Sequence, residues 1–234
     1  FSPFPSTVQY LAQRGKNQRI SLELTDQNVL DVFNGVYGPF DAIVVSESIN
    51  EISPESYALF NQFVSDGGCF ILTGSHGGGE DVFLNNAFGY SVGIAATTDD
   101  PNDTFDLQAA AAGTQFNGGP ASLVAGDRTT AFDNTPGRVI YQGTLGVTVF
   151  TDEFGAGIVN GIGWDYCCID TPGTTTEQQI LDWFEVVNRA FEECSPTVPG
   201  RPIPTLSEWG LISMAGILGM IGLFAAMRRR KAQV

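Results

Sequence analysis

The segment FVSDGGCFILTGSHGGGED, residues 63–81, decides the fold that the sequence predicts. Its first part ends a helix at Asp66, and that helix opens at Ser53 with Pro54 in its first turn. Residues 69–73 then form a continuous apolar run, which is typical of a strand buried on both faces of a sheet. A glycine-rich turn and a further helix over 82–88 follow. The segment therefore predicts a helix–strand–helix unit of an α/β protein.

The same alternation continues upstream of this segment. Residues 41–45 form a second apolar strand, and Thr25 and Asp26 open the helix before it. A short helix is expected over 7–14 and a strand over 19–24. Strands that alternate with helices imply right-handed crossovers and a parallel sheet. We therefore predict a flavodoxin-like, mostly parallel sheet with helices on both faces.

The pattern is weaker downstream. Residues 93–146 are rich in glycine, alanine, threonine, aspartate and asparagine, which indicates loops and short strands. Strands are predicted at 139–141, 147–150 and 157–164, the last of them antiparallel at the edge of the sheet. The last helix is predicted over 174–193, with an apolar face that packs on the sheet.

Several blocks within residues 7–95 stand in a characteristic order: FDAIVV, a helix, FVSDGG and CFILTGSHGGGEDVFLNNAFG. This order resembles the class I glutamine-amidotransferase-like superfold, including its trehalose-utilisation-like branch. That superfold normally begins with a strand before its first helix, and no such strand is visible here. The resemblance implies a Gly-x-Cys-x-Gly turn with a nucleophilic cysteine, but His76 stands at the nucleophile position and Cys69 at the start of the strand. Since no second histidine can act as a base, we predict a degenerate site and a protein that is not an enzyme.

The last 32 residues have three parts: IPTLSEWG, an apolar block at 210–227 and the basic tail RRRKAQV at 228–234. The apolar block has no charged residue, and as a helix it spans about 27 Å of a bilayer. This order resembles the IPTL-type C-terminal sorting signal, which implies processing by an exosortase-like membrane enzyme.

These features predict a chain of four segments. They are an exported α/β domain at 1–194, a proline-rich linker with the sorting motif at 195–209, a transmembrane helix at 210–227 and a cytoplasmic tail at 228–234. Because basic residues at 228–231 should stay inside, we expect a single-pass protein of the bacterial cell membrane whose N-terminal domain is extracytoplasmic. The chain begins at Phe1 and its three methionines lie within the apolar block, so we also expect that a signal peptide was removed.

Small residues on one face of the predicted transmembrane helix suit close approach of another helix. They are Ala215, Gly219, Gly222 and Ala226. If the helix is retained, as we expect, this face predicts a partner within a membrane protein complex.

The charge of the chain excludes one class of partner. Its formal net charge is −15, and residues 1–200 alone carry six basic and 25 acidic residues. Such a field repels phosphate backbones. We therefore expect no nucleic-acid binding.

The four cysteines suggest a disulfide in an oxidising compartment. Cys167 and Cys168 precede the last helix and Cys194 follows it, so we predict a bridge from one of this pair, Cys168 above all, to Cys194. Cys69 begins an apolar strand and is expected to be a buried thiol.

Two groups of residues are candidate sites. His76 lies at the carboxyl end of a strand, where α/β proteins bind ligands, and with Glu47 and Glu80 it forms a candidate metal or proton-transfer site. Asp99, Asp100 and Asp103 concentrate oxygen ligands in one loop and suit Ca²⁺, although a solvated acidic loop without a cofactor is the favoured interpretation.

The sequence as a whole leads to one favoured function and two alternatives. The favoured hypothesis is a non-catalytic, membrane-anchored, extracytoplasmic accessory or structural subunit. One alternative is an envelope hydrolase or carbohydrate-modifying enzyme that uses His76 with nearby carboxylates. The other is a sorted precursor, cleaved at the IPTL motif and then released or attached to the surface.

Overall fold

The structure is a computed structural model, and it describes residues 10–13, 19–20, 22–46, 52–75, 78–126, 128–165 and 176–194. The chain divides into two compact units, Phe1–Ser195 and Pro196–Val234, and every described residue belongs to the first. The described helices are α1 (Asp26–Phe33), α2 (Pro54–Ser65), α3 (Glu80–Phe88) and α4 (Glu177–Glu193). The described strands are β1 (Tyr10–Gln13), β2 (Arg19–Ile20), β3 (Phe40–Val45), β4 (Cys69–Thr73), β5 (Gly93–Thr98), β6 (Thr104–Leu107), β7 (Ser122–Val124), β8 (Thr129–Asp133), β9 (Arg138–Gly143), β10 (Gly146–Phe154) and β11 (Gly157–Ile162).

Local sequence signals explain where the helices begin. The side chain of Thr25 accepts a hydrogen bond from the backbone of Asn28 and caps α1. Ser53 caps α2 in the same way, with Pro54 at the first helical position. Thr176 opens α4 with a complete capping box. The predictions for these helices and for the strands β3 and β4 are confirmed.

The strands form one curled, mixed sheet in the order β2-β1-β3-β4-β11-β10-β9-β6-β7. Only β3 with β4 and β4 with β11 pair in parallel, and the remaining pairs are antiparallel. The predicted flavodoxin-like, mostly parallel sheet is therefore wrong. The reason is that the chain between α3 and β11 contributes hairpins and short antiparallel strands where a parallel fold would have crossover helices.

Two local predictions are also wrong. Residues 10–13, predicted within a helix, form β1, which pairs antiparallel with β3 and places Tyr10 opposite Val44. Gly157–Ile162, predicted at an edge, lies inside the sheet between β4 and β10. Four residues of apolar spacing do not distinguish a helix turn from a strand, so pairing with a neighbouring strand decided the outcome.

The sheet is covered on both faces around β4, every residue of which is buried. On one face, Phe60 of α2, Phe83 of α3 and Phe70 of β4 pack ring to ring. On the other face, Trp183 of α4 stacks on Trp164 with ring centroids 5.6 Å apart. The strand at the centre of the sheet is thus held from both sides, as its uninterrupted apolar sequence predicts.

Candidate functional site

Buried polar side chains collect at the carboxyl ends of β3, β4 and β11. We call this group the edge cluster. Its members are Ser46, Thr73, Ser75, Glu80, Thr130 and Asp165, each 3% exposed or less. Buried polar groups need partners, since an unmatched one costs about 1–3 kcal/mol. The hydroxyl of Thr73 has no hydrogen-bond partner among the described residues. The edge cluster therefore contains a buried hydroxyl that could still form a hydrogen bond.

Glu80 is the central member of the edge cluster. It is the first residue of α3, and its Oε1 accepts a hydrogen bond from the backbone N–H of Ser75 at 2.6 Å. The hydroxyl of Thr130 donates to the same oxygen at 3.4 Å. Burial removes water from the carboxyl group and raises its pKa above the ordinary glutamate value. Glu80 therefore points inward and ties the glycine-rich turn to the helix that follows it.

The backbone around the edge cluster is tightly packed. The N–H of Gly74 donates to the carbonyl of Trp164 at 2.9 Å. A Cβ atom added at Gly74 would lie 2.7 Å from the backbone nitrogen of Asp165, a distance that real side chains do not tolerate. The N–H of Thr130 donates to the carbonyl of Gly163 at 2.6 Å. The turn after β4 and the turn after β11 are thus fixed against each other by main-chain contacts.

Of the three predicted catalytic residues, the structure describes only one. Glu80 is described, whereas His76 and Glu47 lie outside the described residues. Glu80 is 1% exposed and its Oε1 accepts two internal hydrogen bonds. In this geometry its carboxylate stabilises a turn. Proton transfer to a substrate would require that turn to open.

The predicted calcium loop is organised by its own hydrogen bonds. Asp99 accepts from the backbone of Arg128, and Asp103 accepts from the hydroxyl of Thr98. The carboxylate of Asp100 accepts from both the backbone and the side chain of Asn102, at 2.9 and 2.7 Å. Within the part of the chain that the structure describes, no three acidic, histidine or cysteine side chains lie close enough to hold a metal ion. Each of the three carboxylates thus has a role in shaping this loop.

One cavity lies away from the edge cluster, at the opposite ends of β3 and β4. Its volume is about 510 Å³, and Phe33, Phe40 and Phe63 provide most of its apolar wall. Asp41 and Asp66 supply the charged part of the lining. Its described lining includes no serine, cysteine, histidine or basic residue. Asp41 and Asp66 are therefore the only ionisable groups in the described lining of this cavity.

A disulfide joins the last helix to the centre of the sheet. Cys194 pairs with Cys69, across a Cα–Cα distance of 5.3 Å and a sequence separation of 125 residues. The predicted bridge from Cys168 to Cys194 is therefore wrong, as is the free thiol at Cys69; Cys168 itself lies outside the described residues. The side-chain amide of Asn160 lies 3.8 and 3.9 Å from the two sulfur atoms.

The sequence does contain a pattern that indicates this pairing, although Cys167 and Cys168 lie closer to Cys194 along the chain. Trp183, Val186 and Ala190 form the buried stripe of α4, and Cys194 follows Ala190 by one helical turn. Cys69 lies on the face of β4 that this stripe covers. Two cysteines at one buried interface are better candidates for a disulfide than two cysteines that flank the same helix.

The C-terminal segment matches a known motif. Residues 201–230 match the IPTL-CTERM motif, so the predicted sorting signal is confirmed. The match covers 30 of the 234 residues and does not extend into the domain before it. The prediction of a retained single-pass membrane anchor is wrong, because this motif indicates a C-terminal signal that is cleaved.

Among the described residues, no helix has the length and apolar character needed to cross a bilayer. Residues 210–227, including the small residues Ala215, Gly219, Gly222 and Ala226, lie outside the described ranges.

The domain has distant similarities to several solved structures. A β-galactosidase from Bacillus circulans sp. alkalophilus is 12% identical, with a TM-score of 0.39 over 65% of this chain and 21% of that protein. A cytoplasmic protein from Salmonella typhimurium is 12% identical, with a TM-score of 0.46 over 80% and 96% of the two chains. A family 42 β-galactosidase, Gan42B, is 16% identical, with a TM-score of 0.41 over 70% and 22%.

These similarities carry no functional argument, since every TM-score is below 0.5 and the chain spans about a fifth of either galactosidase. The structural neighbours do not confirm the amidotransferase-like resemblance. No curated protein matches the sequence.

Proposed function

We propose that this chain is a non-catalytic surface protein of a bacterial envelope, delivered by a C-terminal sorting signal that is removed during processing. The observation that carries the proposal is the IPTL-CTERM match at residues 201–230, which follows a folded domain ending in α4. The processing partner would be an exosortase-like membrane enzyme. The domain in front of the signal is then the part that remains at the surface.

The disulfide supports an exported domain. Cys69 and Cys194 are cross-linked, and such bonds persist in oxidising compartments and are rare in reducing ones. Cys194 is the C-cap residue of α4, so the bridge fixes the end of this helix to the sheet. An acidic chain with a net charge of −15 also favours solubility and repels nucleic acid.

The environment of Glu80 supports a role without catalysis. Its carboxylate stabilises the turn after β4 and is almost completely buried, whereas a general acid or base must reach the substrate directly or through one water molecule. The hydrolase alternative depends on His76 and predicts a different result. If the purified protein hydrolyses an envelope polysaccharide and exchange of His76 for alanine abolishes that activity, the non-catalytic proposal is wrong.

Variants of the sorting motif test the delivery step. Exchange of Pro204 and Thr205 for alanine should block processing, so that the unprocessed chain accumulates in the membrane fraction. Exchange of Pro199 and Thr197 for alanine is the matched control, because it makes the same two replacements just before the matched segment and should leave processing unchanged. Equal processing of both variants would contradict a sorting role for the motif.

A further inference from the structure

The strand β5 is an open edge of the sheet. It pairs antiparallel with β8, and among the described residues no strand pairs with its other side. The described backbone hydrogen bonds outside the sheet ladders also include none from residues 93–98. A strand in this position presents a row of main-chain donors and acceptors, which is a template for another strand.

The usual protection of an edge strand is largely missing here. Residues 90–98, with the sequence YSVGIAATT, contain no charge and no proline. Ile94 is 37% exposed, and Ala95 and Thr97 are also exposed. A bulge at the Ile94–Ala96 step is the only protective irregularity in the ladder between β5 and β8. An edge strand of six uncharged residues in a chain with a net charge of −15 therefore adds no repulsion of its own against a second acidic chain.

We propose that β5 is a self-association surface, at which two copies of this chain pair their β5 strands antiparallel about a two-fold axis. The charges that flank the strand favour this orientation. Asp99 and Asp100 follow β5 directly, whereas residues 90–92 before it are uncharged. Parallel pairing would place these aspartates beside their own counterparts, while antiparallel pairing places them beside the neutral end of the partner strand.

The expected dimer is weak in dilute solution. Two strands of six residues share roughly six main-chain hydrogen bonds and bury well under the roughly 1,200 Å² of a stable interface. We therefore expect association at protein concentrations of about 0.1–1 mM. Many copies held on one surface would raise the effective concentration into this range. This last point rests on the proposed function.

Charge exchange on β5 tests the proposal. The mass of the purified full chain should double with rising concentration, and exchange of those amide protons of β5 that point away from β8 should slow about tenfold. The I94E/T97E variant places like charges across the two-fold axis and should stay monomeric. A 1:1 mixture of I94E/T97E with I94K/T97K should associate again, because each strand then meets a strand of opposite charge.

A matched control separates this effect from added charge in general. V36E/L181E adds two glutamates at exposed positions outside the sheet, in the turn after α1 and on α4, and should associate as the wild type does. Circular dichroism and urea unfolding check that each variant is folded. The proposal is overturned if the wild-type chain stays monomeric at 1 mM, or if I94E/T97E associates as strongly as the wild type. The outcome is independent of processing: a correctly sorted monomer refutes only this inference, and a dimer with an uncleaved signal refutes only the proposed function.

Discussion

The bond between Cys69 and Cys194 makes a quantitative prediction about stability. It closes a loop across a sequence separation of 125 residues, and the loss of loop-closure entropy in the unfolded chain corresponds to about 4.9 kcal/mol at 25 °C. Measured disulfides typically contribute less, about 2–4 kcal/mol. We therefore expect the C69A/C194A variant to lose about 3–4 kcal/mol of unfolding free energy.

Urea unfolding followed by tryptophan fluorescence measures this loss. With an m-value on the order of 2.5 kcal/mol/M, the unfolding midpoint should fall by about 1.2–1.6 M. The C167A/C168A variant is the matched control, since it also removes two cysteines but leaves the observed bridge intact. Its midpoint should stay near that of the wild type. A large loss in the control, or a loss below about 1 kcal/mol in C69A/C194A, would refute this reasoning.

Substitutions at three further positions probe the edge cluster and the core, each by urea unfolding. Because the pKa of Glu80 is raised in the folded state, the stability that this carboxyl contributes is complete below the ordinary glutamate pKa and is lost as the pH rises through the raised value. E80Q keeps the acceptor without the charge and should gain on the wild type as the pH rises above the ordinary glutamate pKa, whereas E80A should cost about 1–3 kcal/mol by leaving the N–H of Ser75 unmatched; a pH-independent difference for E80Q would contradict this. G74A should cost about 1–3 kcal/mol or more, because its Cβ would meet backbone atoms at 2.7 Å, and a neutral effect would mean that the two turns are not packed together. W183F should cost about 2–3 kcal/mol, because it removes the indole N–H that donates to the carbonyl of Val124 at 2.9 Å and part of the contact with Trp164; retention of full stability would contradict the assigned packing.

Local sequence predicted the individual elements well, because their signals are short-range. The caps at Thr25 and Ser53 and the apolar run at 69–73 specify structure within a few residues. Strand direction is different, since it depends on contacts between distant segments. One of the two parallel partners of Cys69–Thr73 is Gly157–Ile162, nearly 90 residues later, and no local signal distinguishes an internal strand of this kind from an antiparallel edge.

The site was harder to predict for the same reason. Glu80 is a candidate because it lies near His76 in the sequence, but its partner Thr130 lies 50 residues away, and no local pattern indicates that contact. The Cys69–Cys194 bridge likewise depends on how α4 crosses the sheet. The C-terminal signal was the easiest feature to predict, because its motif, apolar block and basic tail are contiguous in residues 203–234.

The intact mass of the protein recovered from the cell envelope tests the central claim most directly. A sorted and processed surface protein should end near the IPTL motif at residues 203–206 and should lack the apolar block and the basic tail. Mass spectrometry of the C-terminal peptide would locate that end. A mature protein that still carries residues 210–234 would contradict the account.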